Sequence, residues 1–148
     1  MTIGSEPRRV LGVDVGERRI GLAISDPSGT IARPLCTLRV TSAVEAVTRL
    51  DREIARLAGE DDGLAAVVVG LPRRLDGSPT EMTPRVEALV AALRSRTRVP
   101  IVGEDERLTS REAESRLALG ERDWRRRKEK LDAAAAAVIL QDHLDRRG

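Results

Sequence analysis

The stretch VLGVDVGERRIGLAIS, residues 10–25, decides the fold. Val10, Leu11, Val13 and Val15 form an almost unbroken apolar run, so Arg8 to Val15 reads as a strand. Gly16 and Glu17 supply a turn, and Arg19 to Ser25 reads as a second strand. Asp26-Pro27-Ser28-Gly29 is a strong turn signal, after which a third strand is expected over Ile31 to Val40. Three strands joined by short turns make an antiparallel meander.

Downstream the period changes. Ser42 followed by Glu45 is a capping box, and Val44, Val47, Leu50, Ile54 and Leu57 recur at helical spacing. Ala65 to Leu71 is a short apolar strand of the kind found in parallel, doubly covered sheets. Pro72 to Pro79 is a loop with an Asp76-Gly77 turn. Thr83-Pro84 opens a helix with a cap and Pro at its first position, running to about Arg96. Val99 to Glu106 is the fifth strand. Thr109 with Glu112 starts a short helix ending near Gly120, and a last helix is expected from Leu131 to Leu144. The order predicts an α/β fold: a five-stranded mixed sheet, an antiparallel meander plus parallel strands, with helices on both faces. All 148 residues fit one domain, with residues 1–7 as a loose tail.

Composition narrows the class. There is one Trp and no Tyr or Phe, so branched aliphatics and alanines must fill the core. The net charge is only +2, but Arg and Lys cluster at Arg73-Arg74, at Arg94, Arg96 and Arg98, and over Arg122 to Lys130. Such clusters point to a polyanionic partner. A single cysteine, Cys36, excludes an internal disulfide and reads as an inert thiol in a reducing compartment. No apolar stretch reaches the roughly 18–20 residues of a membrane span, and no leader pattern opens the chain. A cytoplasmic protein is expected.

The chemistry-bearing residues are acids. Asp14 lies inside a valine run on what should be a central strand, where a carboxylate needs compensation. Glu104-Asp105-Glu106 ends the fifth strand, and strand ends are where open α/β sheets bind ligands. Alternation puts Glu104 and Glu106 on one face and Asp105 on the other. Asp132 precedes five consecutive alanines, Ala133 to Ala137, which let a helix backbone lie close to the sheet. One acid from each place would make a hard oxygen set suited to Mg²⁺ or Mn²⁺ rather than zinc. Two such ions activate water and stabilise the leaving oxygen of a phosphodiester. For nucleic-acid contact the candidates are Arg73 and Arg74 in the loop after the fourth strand. Trp124, Arg125, Arg126, Arg127, Lys128 and Lys130, just before Asp132, join them. His143, late in the last helix, is expected to pack or cap there.

Four ordered segments carry a family resemblance: GVDVGERRIGLAISD, VVVGLPRRLDGS, DERLTSREAE and KLDAAAAAVILQ. In this order and spacing, over residues 9–145, the chain resembles the YqgF family, also called RuvX, homologues of the RuvC Holliday junction resolvase. The resemblance implies a ribonuclease H-like fold and catalytic, metal-holding acids at Asp14, Glu106 and Asp132, with Asp105 second to Glu106. Related resolvases carry a fourth acid on the final helix, where this chain has Ala135. The implied activity is metal-dependent nuclease action, either maturing the 5′ end of pre-16S ribosomal RNA or cutting four-way DNA junctions. The junction cutter should be a homodimer. Two readings of other classes are an ATPase of the actin and sugar-kinase type, which needs a second domain, and a non-catalytic nucleic-acid adaptor.

Overall fold

A computed structural model of the chain describes residues 6–105 and 124–147, with side chains of the last helix described from Asp132 onward. Five strands form one sheet: β1 (Val10–Val15), β2 (Arg19–Ser25), β3 (Ala32–Arg39), β4 (Ala66–Leu71) and β5 (Ile101–Asp105). Their order is β3-β2-β1-β4-β5. β1 pairs antiparallel with β2, and β2 with β3, while β1–β4 and β4–β5 are parallel. This is the expected meander extended by crossover strands. Among the described residues there are three helices: α1 (Ala43–Ala58), α2 (Thr83–Arg94) and α3 (Trp124–Arg147).

Strand alternation sorts the core into two layers. Leu11 and Val13 of β1 and Val67 and Val69 of β4 join Leu50, Ile54, Leu57, Val86, Val90 and Leu93, so α1 and α2 cover one face. Val10, Ala23, Ala66 and Val68 join Ala136, Ile139, Leu140 and Leu144, so α3 covers the other. Burying each Leu, Ile or Val side chain contributes about 1.5–3 kcal/mol, and this replaces the absent aromatics. The second layer is thin, because small residues bring helix and sheet close together.

Several local expectations needed correction. Ser42 caps α1 by accepting from Glu45 N at 3.1 Å, but Glu45 Oε2 accepts from Thr41 Oγ1 at 2.6 Å, outside the reciprocal capping box. Val44 is 74% exposed and stands apart from Val47, Leu50, Ile54 and Leu57, which α1 buries. Thr83 is not a cap. It is buried, its Oγ1 donating to Pro72 O at 2.5 Å, and the preceding Met82 makes no side-chain cap bond. α3 begins at Trp124, seven residues before the expected start at Leu131, and runs on to Arg147. The backbone from Trp124 to Lys130 is therefore helical rather than loop. The expected helix from Thr109 to Gly120 lies outside the described residues. Cys36 is half-buried on β3, and burial with the nearby Glu53 carboxylate pushes its thiol up, which fits an inert group. No described helix is long and apolar enough to cross a membrane.

Candidate active site

Asp14 stands near the carboxyl end of β1, half-buried, directly opposite Gly21 of β2. Paired residues of an antiparallel ladder present their side chains to the same face, with Cα atoms about 4.5–5.5 Å apart. Gly21 thus marks the surroundings of Asp14. A Cβ built on Gly21 would fall inside the Asp132 carbonyl group, so the α3 backbone at Asp132 lies directly on the β2 glycine. One turn along, the same arrangement recurs at Gly12, where a Cβ would lie 2.7 Å from Leu140 Cβ and 3.0 Å from Ala136 O. Gly12 and Asp14 are two residues apart and share a face, which is the α3 face. Asp14 and Asp132 are therefore brought together on one side of the sheet, at its carboxyl edge. The occupant of the space left by the glycines is the helix itself.

Arg19, two residues before Gly21, lies on that face too. Its Nε is 3.9 Å from Asp132 Oδ2, and both side chains are largely buried. In the sequence Arg19 figures only as the start of the second strand and not among the candidate site residues. Its spacing from Gly21 was the available signal.

The acid run at the end of β5 divides as alternation requires. Asp105 pairs with Leu71, which packs into the α1/α2 layer, so Asp105 faces away from Asp14. Glu104 pairs with Gly70 and faces α3. Its Oε1 is 2.5 Å from His143 Nδ1 and its Oε2 is 3.2 Å from Arg146 Nη1. A carboxylate oxygen accepts, so Nδ1 of His143 donates. Arg146 is bound in turn to Asp142. Glu104 is thus held by two groups from the last turns of α3. His143 packs, as expected, but its bond to Glu104 spans 39 residues and no local pattern announces it. Its other nitrogen, Nε2, is buried without a hydrogen-bond partner among the described residues. Glu104→Ala would leave the whole imidazole unsatisfied. It is expected to lower stability by about 2 kcal/mol, seen as a lower urea midpoint at unchanged slope.

Glu106 lies outside the described residues, as do the side chains of Trp124, Arg125, Arg126, Arg127, Lys128 and Lys130. Among the described residues no three His, Cys, Asp or Glu side chains group as a metal set. The described part of the site contains two acids from two elements, Asp14 and Asp132, with Arg19 beside them. In the loop after β4, Arg73 is partly committed, its Nη1 donating to Gly77 O at 3.4 Å, whereas Arg74 is exposed.

Similarity to known proteins gives the family. The family model described as "RuvX: Holliday junction resolvase" matches residues 8–146. The chain belongs to the RuvX family. A relative from Roseiflexus sp. (strain RS-1), provisionally named a pre-16S rRNA nuclease, is 41% identical over 143 residues, covering 97% of this chain and 98% of the relative. A relative of the same name from Azotobacter vinelandii is 40% identical over 144 residues, 97% of each chain. Another, from Chloroflexus aggregans, is 43% identical over 139 residues, covering 93% and 94%. Among solved structures, Thermus thermophilus RuvC in complex with a Holliday junction substrate superposes with a TM-score of 0.54 at 20% identity. It covers 95% of this chain and 96% of RuvC. That likeness establishes the ribonuclease H-like fold, and RuvX membership makes the chain a nuclease-family protein.

Proposed function

We propose that this protein is a divalent-metal-dependent endonuclease that hydrolyses phosphodiester bonds of ribosomal precursor RNA, with Asp14, Asp132 and Glu106 as its carboxylates. The observation that carries the reading is the seat of Asp132 on Gly21, across the ladder from Asp14. The residues fit a hard cation. Their donors are carboxylate oxygens, the class Mg²⁺ and Mn²⁺ prefer, and two glycines clear the side-chain volume that would keep the helix acid away. When bound, such an ion supplies charge that activates water and stabilises the leaving oxygen.

The chain's own residues set the rest. β1 and α3 are rigid supports, so Asp14 and Asp132 reach the reaction without ordering a loop. Arg19 holds a positive charge beside Asp132 and limits repulsion between the acids. Glu106 takes the third place for two reasons besides the family resemblance. Glu104 is engaged by His143 and Arg146, and Asp105 faces the other layer. Arg74 and the basic run Arg125 to Lys130 suit phosphate contact, which makes binding salt-dependent.

RNA is favoured as substrate by the names of the full-length relatives. Four-way DNA is the second reading, supported by the family description, and it calls for a symmetric dimer cutting two strands. Cleavage of a 5′-extended 16S RNA fragment and of a four-way DNA junction, each with Mg²⁺ and with EDTA, tests both. RNA cutting in Mg²⁺ that disappears in EDTA is the expected result. Undiminished cutting in EDTA would refute the metal, and cutting of the junction alone by a dimeric species would transfer the reading to DNA.

A further inference from the structure

The loop leaving the carboxyl end of β4 is a closed finger. Arg73 bridges to Pro79 across its base. Arg74 N donates to Ser78 O at 2.9 Å, and Gly77 N to Arg74 O at 2.8 Å. Asp76 Oδ1 accepts from Ser78 N at 2.9 Å and from Ser78 Oγ at 2.6 Å, and Gly77 closes the turn at φ 89°. The bond from Thr83 Oγ1 to Pro72 O fastens the finger to the start of α2. The two Ser78 bonds hold the Asp76 carboxyl below the usual carboxylate range. A depressed carboxylate keeps its bonds above its ordinary pKa and loses them as pH falls, so the turn is closed at neutral pH.

This finger carries Leu75 near its tip, 61% exposed, beside the exposed Arg74. A single exposed leucine ordinarily needs no explanation. Here the position is unusual. Of the three large hydrophobics exposed among the described residues, Ile31 follows the β2–β3 turn at the far end of the sheet and Val44 opens α1 on the other layer. Leu75 is held by a hydrogen-bonded turn in the loop that follows β4, the strand whose Val69 pairs with Val13 of β1 one residue before Asp14.

We propose that Leu75 is a wedge that packs on the face of an unpaired nucleobase while Arg74 meets the adjoining phosphate, so that the protein selects RNA sites next to unstacked nucleotides. The proposal rests on the nuclease reading above and adds what the site selects. Apolar side chains wedge between bases that a duplex would otherwise stack, and unpaired RNA bases are the ones proteins can reach. A turn that is already closed loses little freedom on binding, which favours a small apolar contact.

The test uses two short RNA duplexes, one fully paired and one with a single unpaired 2-aminopurine, bound by the full chain with Ca²⁺ replacing Mg²⁺. The wild-type protein should bind the bulged RNA about tenfold more tightly, and its 2-aminopurine emission should change on binding. In Leu75→Ser the ratio should fall to within about twofold of unity. Leu75→Phe should keep it, because an aromatic stacks at least as well. Ile31→Ser, equally exposed at the far edge, should show the wild-type ratio. A wild-type protein without preference, or a preference that survives Leu75→Ser, would overturn the wedge. A Leu75-dependent preference in a protein that never cuts with Mg²⁺ would uphold the wedge and remove the nuclease reading. Equal cutting of both RNAs, unaffected by Leu75→Ser, would do the opposite.

Discussion

Asp14→Asn is expected to slow RNA cleavage by about three orders of magnitude, or about 4 kcal/mol on the barrier, in a protein that remains folded. Asn keeps the shape of the side chain and removes its charge, so what is lost is the electrostatic part of the reaction, worth several kcal/mol when a metal is held. The fold should tolerate the change, because Asp14 is only half-buried and lies near the end of β1. Removing one of two neighbouring carboxylates can even raise stability, as it relieves a repulsion that function imposes. Single-turnover cleavage with saturating Mg²⁺, alongside a thermal melt, separates the two effects. A cleavage rate within about threefold of wild type would take Asp14 out of the reaction.

The second large effect is structural. Gly21→Ala places a methyl group where the Asp132 carbonyl now lies. Backbone cannot step aside as a flexible side chain can, so α3 must lift or β2 must bend. Overpacking costs about 1–3 kcal/mol and sometimes more, and this variant belongs at the upper end, about 3 kcal/mol or beyond. Gly12→Ala meets Leu140 Cβ at 2.7 Å and is a gentler version of the same insult. Urea denaturation of both should show the larger loss at position 21. Under conditions where Gly21→Ala is still folded, cleavage should also fall about a hundredfold, since a displacement of about 1 Å at a reacting group has that consequence. Gly21→Ala with wild-type stability would mean that α3 does not rest on β2.

What could be read from the chain follows burial. β1, β2 and β4 were legible because their apolar runs and turn residues agree, and the split into an antiparallel meander and parallel strands followed from short turns against long crossovers. The early start of α3 was not legible. WRRRKEK, residues 124–130, has no apolar stripe, so the hydrophobic period fell silent where the helix propensity of Arg, Lys and Glu still spoke. Glycines at positions 12 and 21, on the strands beside Asp14, suggest room for a ligand, whereas the α3 backbone fills that room. The run Ala133 to Ala137 did hint at this close approach. The link between Glu104 and His143 escaped because it joins β5 to the far end of α3, and each residue taken alone has an ordinary surface explanation. Among the three adjacent acids, strand register separates Glu104 from Asp105, and no property of the triplet by itself does so.

In the proposed nuclease, Asp14 and Asp132 hold one cation between β1 and α3. A crystal structure of the protein with Mg²⁺ and a non-hydrolysable RNA tests it most directly. The expected result is an ion with oxygens of both carboxylates at about 2.0–2.1 Å. An ion bound elsewhere, or ligated by only one of these two residues, would contradict it.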